Sequence, residues 1–200
     1  SISLKKLFEN YKEIINFDFL KNLSFSEFKK FLNGTPLGEE RFKILKEVSE
    51  FVVKKYAEPV KFVLSAQQSA KILLKKIYKE IPYFDDIAFY QNRKIYFLKR
   101  AQILIADIYG AFGGKGIGHF KDIDYLTCFA DYKLPKILNH YGILEYSKDL
   151  KNKIKKKELI LAKSHEEIEI RANTIWAVEF LKEELKRLGR NLKSLEIDWY

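Results

Sequence analysis

Asp131 stands between two apolar runs, Cys128-Phe129-Ala130 before it and Leu134-Pro135, then Ile137-Leu138, after it. A carboxylate there either caps a helix that begins just beyond it or faces a pocket where a charge is needed. A second candidate is Lys99-Arg100-Ala101-Gln102, which opens an otherwise apolar helix of Ile103, Leu104, Ile105, Ala106 and Ile108. Two cations at a helix N-terminus oppose the helix dipole. One of them serves a site, or they snorkel and pair at the surface. Asp107, one face further along, reads as a buried structural pair with Arg100 or Arg171. Glu167, Glu169, Arg171 and Glu179 could form an ion network on a long helix, and Trp176 reads as core. Asp198-Trp199-Tyr200 places aromatics where they must dock onto something, a flat ligand included.

Other chemistries fail on spacing. Gly110 to Gly118 holds five glycines, yet it lacks the G-x-x-x-x-G-K-[ST] order and follows a helix rather than a strand. It reads as a connector, from which Lys115 could still meet a phosphate. His119, His140 and His165 are scattered, with no ligand partner at helical spacing, so no metal site is expected. Cys128 is the one cysteine, which excludes an internal disulfide and suits a reducing compartment.

The chain has 200 residues, is 47% hydrophobic, and carries sixteen Phe and twelve Tyr. That is enough for a sizeable core and is not the composition of a disordered chain. The net charge of +10, from 37 basic and 27 acidic residues, favours anionic partners or a Lys- and Glu-rich solvated surface. The Lys151-Asn-Lys-Ile-Lys-Lys-Lys157 run reads as a solvated helix face. No secretion signal and no membrane span is expected.

These residues need elements to hold them. Leu4, Leu7, Phe8, Tyr11, Ile14 and Ile15 recur at helical spacing. Ser24-Phe-Ser-Glu27 predicts a capping box opening a helix to Leu32, and Asn33-Gly-Thr-Pro36 a turn. Helices are predicted over 39–56, 60–81 and 99–109, with a hairpin of Ile87–Tyr90 and Lys94–Phe97. Asp122 and Asp131 each cap a following helix, Gly142 ends the second, and Ser147 opens a basic one. Ser164-His-Glu-Glu167 starts a long helix to about Leu188, stopped by Gly189. The fold class is mainly α, with one small β-hairpin.

Five blocks carry a family resemblance. They are Phe97-Leu-Lys-Arg-Ala-Gln-Ile-Leu-Ile-Ala-Asp107, Gly114-Lys-Gly, Phe120-Lys-Asp-Ile123, Leu126-Thr-Cys-Phe-Ala-Asp-Tyr-Lys-Leu-Pro135 and Glu167-Ile-Glu-Ile-Arg171. In order and spacing they resemble the queuosine salvage proteins, the queuosine 5′-phosphate N-glycosylases. There the blocks run approximately FYKRAQILVAD, GKG, FKDI, LTMFADYRLPQ and EVEIR. The resemblance implies a helical fold like that of helix-hairpin-helix DNA glycosylases, and hydrolysis of queuosine 5′-monophosphate to queuine without metal or cofactor. It implies catalytic roles for Lys99 and Asp131. It implies substrate contacts for Asp198, Trp199 and Tyr200; apart from the resemblance, Phe129 and Tyr132 are candidate pocket walls and Lys115 a candidate phosphate contact. It also implies one mostly helical domain over 1–200, with 1–38 a divergent extension and 39–200 the family-like catalytic region. Ile15-Asn16-Phe17 is similar to the family's LNF-aromatic motif but is spaced differently, and the last Leu-Trp-Asp of DYYLWD has no counterpart, which implies a compact member. The expected partner is a small nucleotide in the cytoplasm, with no membrane. The alternatives are a DNA or RNA base glycosylase, or a non-catalytic nucleic-acid-binding helical domain.

Overall fold

The computed structural model describes residues 16–32 and 37–199. The apolar repeat before Asn16, the turn over 33–36 and Tyr200 lie outside the described residues. The described chain is mainly helical with one two-stranded antiparallel sheet, as the hydrophobic periods predict.

Helix α1, Phe17–Asn22, begins where the Asn16 side chain accepts the Asp18 and Phe19 N–H groups. The predicted capping box opens α2, Phe25–Leu32: Ser24 N–H donates to Glu27 at 2.9 Å and Glu27 N–H returns to Ser24 Oγ at 3.3 Å. Both helices lie on α3, Gly38–Tyr56, through Leu20, Leu23, Phe28, Phe42 and Leu45.

The helix predicted over 60–81 is two helices, α4, Pro59–Leu64, and α5, Ala70–Glu80. Gln67 and Gln68 between them take φ of 53° and 62°, and a left-handed pair cannot continue a right-handed helix. The restart is anchored from afar. Asp122 was expected to cap the residues after it, but its carboxylate accepts from Ser69 Oγ at 2.7 Å and Ala70 N–H at 2.6 Å. It thus satisfies first-turn donors of α5, while Ser69 Oγ takes the Ile72 N–H.

The hairpin pairs β1, Ile87–Tyr90, with β2, Arg93–Tyr96, one residue earlier than predicted for the second strand. Gln91 and Asn92 both have positive φ, 46° and 61°, the two-residue turn that matches strand twist. Helix α6, Lys99–Ala111, follows directly. Its Ala101, Ile105 and Ala106 pack against Leu73, Leu74 and Ile77 of α5 to form the main core. The glycine stretch then folds back tightly: a Cβ on Gly118 would stand 2.6 Å from Phe112 Cβ and 2.8 Å from the Ile108 carbonyl.

Residues 126–131 cross the core edge without forming helix or strand. They lead to α7, Leu134–His140, which Gly142 ends at φ 72°. Ser147 caps α8, Lys148–Lys155, and Ser164 caps α9, His165–Arg187, with Gly189 at φ 79° beyond it. Helix α10, Ser194–Trp199, closes the described chain. Trp176 is not core: it is 62% exposed beside Phe180 on α9. No helix among the described residues is long and apolar enough to cross a membrane.

Candidate active site

Lys99 and Asp131, 32 residues apart in sequence, meet with Nζ 3.5 Å from Oδ2. Each is about a quarter exposed, at the wall of a cavity of about 560 Å³. That volume lies within the usual range for small-molecule sites. Asp86, Arg100, Glu167 and Arg171 supply further charged wall, while Ala130, Tyr132, Ile160 and Ile170 supply the rest.

Both readings of Asp131 hold at once. Its Oδ1 accepts the Lys133 and Leu134 N–H groups at 2.7 and 3.2 Å, an Asx turn at the start of α7. That fixes the carboxyl plane and leaves Oδ2 for Lys99 and the cavity.

A second link runs parallel to the first. Gln102, one turn after Lys99, is buried; its Oε1 accepts Thr127 N–H at 2.8 Å, and its Nε2 donates to the Phe97 carbonyl and to Thr127 Oγ1. Positions 99 and 102 share one face of α6, so helix and irregular segment are held in register at 102–127 and at 99–131.

The third fixing group is Asp86, which sequence reasoning passed over. Asp107 was expected to pair with Arg100 or Arg171; instead the Arg171 guanidinium grips Asp86 bidentately, Nη1 to Oδ1 at 2.9 Å and Nη2 to Oδ2 at 2.5 Å. It also donates to Glu167 at 3.2 Å and to the Ala130 carbonyl at 3.3 Å, and lies over the Phe97 ring at 3.9 Å. Asp107 is exposed and makes no ion pair among the described residues; what desolvation it has raises its pKa. Asp86 Oδ2 also accepts the Lys99 N–H at 3.0 Å. One carboxylate therefore stands at the start of α6, where two cations alone would oppose the dipole. That unresolved conflict was the sequence signal for it. Burial pushes the Asp86 carboxyl up, but the Arg171 hydrogen bonds and charge outweigh it and hold the pKa below the ordinary range.

Of the network expected on α9 only the Arg171–Glu167 pair forms, and the other two acids turn elsewhere. Arg171 serves Asp86, Glu169 takes the Tyr90 hydroxyl, and Glu179 joins Lys182 and Ser194.

The other candidates divide. Tyr132 lines the cavity and is exposed. The Phe129 ring is in the core, while its N–H donates to Asp198 Oδ1 at 3.2 Å. Burial first, then the Asp131 charge, raises the Asp198 pKa, and Asp198 itself does not line the cavity. Trp199 is not at the cavity: its ring lies over Gly110, near the far end of α6. Lys115 is exposed beyond the C-terminal end of that helix and forms no part of the cavity wall. Among the described residues no three His, Cys, Asp or Glu stand together as a metal-binding group. Burial pushes the Cys128 thiol up to about 12, so it remains protonated.

Comparisons with known proteins place the chain as a whole. A family model described as queuosine salvage protein matches residues 1–200. The chain is 37% identical over 201 residues to the queuosine 5'-phosphate N-glycosylase/hydrolase of Sphaerobacter thermophilus, covering 98% of this chain and 62% of that protein. It is 40% identical over 198 residues to the protein of that name in Nematostella vectensis, covering 96% and 56%. Against that of Mus musculus it is 40% identical over 173 residues, covering 82% and 51%. The chain thus spans 51 to 62% of the length of these curated relatives. With a match over its whole length, this chain belongs to the queuosine salvage protein family.

Proposed function

We propose that this chain hydrolyses the N-glycosidic bond of queuosine 5′-monophosphate, releasing queuine and ribose 5-phosphate in the cytoplasm. The observation that carries the reading is the Lys99–Asp131 pair, 3.5 Å apart on the wall of a nucleotide-sized cavity. The names of its relatives supply the substrate.

Breaking the C1′–N bond places positive charge on the ribose and negative charge on the departing base. Asp131 Oδ2 faces the first charge. With Oδ1 fixed by two N–H groups, it meets the developing cation without reorganising, as electrostatic catalysis requires. It also orients the water, which gives its hydroxyl to C1′ and its proton, in the end, to the base. Queuine is a 7-deazaguanine and lacks the N7 at which departing purines are usually protonated, so the base must be helped at other atoms. The Lys99–Asp131 separation is longer than a direct hydrogen bond. The ammonium therefore has donors free for the ribose or the departing base. Ile160 and Ile170 give the wall an apolar part beside the sugar.

The test is incubation with queuosine 5′-monophosphate and with queuosine, followed by chromatography for free queuine. The wild-type chain should release base. Asp131→Asn keeps the acceptor for Lys133 and Leu134 but not the charge, so it should fold normally and lose on the order of 10²–10⁴ in rate. Near-normal release by Asp131→Asn would remove Asp131 from the mechanism.

A further inference from the structure

Three cations and three carboxylates line the cavity, and they are not equally committed. Arg171 spends its donors on Asp86, Glu167 and the Ala130 carbonyl. Lys99 faces Asp131. Asp86 and Glu167 together outweigh Arg171 by one negative charge. Arg100 is the remaining cation: its charge is felt by Asp86, yet no carboxylate among the described residues lies in ion-pair range of it. Its guanidinium lies over the Tyr83 ring at 4.4 Å. That ring is itself a fixed platform: it belongs to the short turn Pro82–Phe84, and Tyr83 N–H donates to Glu47 at 2.9 Å. Stacking restricts the plane of a guanidinium while leaving its edge donors open. A planar fork with free donors matches the oxygens of a phosphate.

We propose that Arg100 is the anion subsite of this cavity, the group that takes the 5′-phosphomonoester of a bound ribonucleotide while Asp131 and Lys99 face its glycosidic carbon. This rests on the hydrolase reading for the identity of the base, but not for the presence of the subsite. A phosphomonoester carries about −1.5 to −2 charges near neutral pH. It would meet the one wall cation that is already oriented and has no carboxylate to displace. Lys115, the phosphate candidate in the glycine stretch, stands outside the cavity wall. Arg100 thereby becomes the residue that separates nucleotide from nucleoside.

Two measurements on the whole chain test this. Calorimetric titration with ribose 5-phosphate and with ribose reads the subsite without turnover. Wild type should prefer the phosphate, and Arg100→Ala should shrink that preference roughly ten- to a hundredfold, the scale of a charge-assisted contact. Arg100 is exposed, so the variant should fold, which its melting curve checks. In turnover, the ratio of kcat/KM for queuosine 5′-monophosphate over queuosine should fall by a similar factor, with Arg100→Lys recovering part of it. An unchanged preference and an unchanged ratio in Arg100→Ala would overturn the assignment while leaving the hydrolase reading intact. Ribose 5-phosphate binding through Arg100 with no base released by wild type would do the reverse.

Discussion

Lys99 and Asp131 differ in how much of their role is structural. Asp131 holds two backbone N–H groups as well as facing Lys99, so its removal tests two functions at once, which is why the amide variant is the informative one. Lys99 has no such second duty in its side chain, because the start of α6 is held by Asp86 on the Lys99 N–H. A part-exposed ion pair contributes about 0–1 kcal/mol. Lys99→Ala should therefore move the melting temperature by no more than about 4 °C, yet slow base release by roughly a hundredfold or more. A large stability loss with little kinetic change would assign Lys99 to the fold instead. Both residues were visible in sequence because each breaks a local pattern, a charge inside an apolar run or a cation at the wrong helix end. Asp86 was not visible, since an acid before a strand breaks no rule; only its partners, 13 and 85 residues away, give it meaning.

At the scale of elements, the site is a junction of three: α6, the segment 126–131 and α9. Gln102 ties the first two and Arg171 ties the second to the third through the Ala130 carbonyl. Replacing Arg171 with Ala strands a part-buried Asp86 and should cost about 3–5 kcal/mol. The melting temperature would fall by roughly 10 °C. Gln102→Leu keeps the volume but leaves the Thr127 N–H without its acceptor, at about 1–3 kcal/mol. Thermal melts of both variants check these costs, and a loss of base release beyond the unfolded fraction would show that register matters to chemistry. Helix and hairpin boundaries were legible from periodicity and capping residues such as Ser24, Ser147 and Ser164. The break at Gln67-Gln68 was not, because glutamine is an ordinary helix former and the reason for the break lies in Asp122, on another segment.

For the molecule as a whole, Asp86 and Asp122 are two of the carboxylates that link stability to pH, both in the same sense. Burial raises Asp86 and Asp122, but the Arg171 contacts and the Ser69 and Ala70 donors, respectively, bring both below the ordinary carboxylate range. A group depressed in the folded state contributes fully above its unfolded pKa of about 4. That contribution disappears as pH falls through the lower folded value. The melting temperature should thus stay level on this account from neutral pH to about 4.5 and drop below it, with a shallower drop in Asp86→Asn measured against its own neutral value. An unchanged acid limb in that variant would remove Asp86 as a cause. The +10 charge, legible at once, speaks of anionic partners but of no particular position. Arg100 emerges only when three dimensions show which cations are already engaged.

The bond from Asp122 to the Ala70 N–H spans 52 residues. As the ribosome delivers the chain, α5 emerges long before the carboxylate that completes its first turn. We predict that the end of the helix is completed only when the later segment docks. Closure of so long a loop is a late event. Asp122→Ala should accordingly speed unfolding more than it slows refolding in stopped-flow measurements, marking that clasp as among the last to fasten.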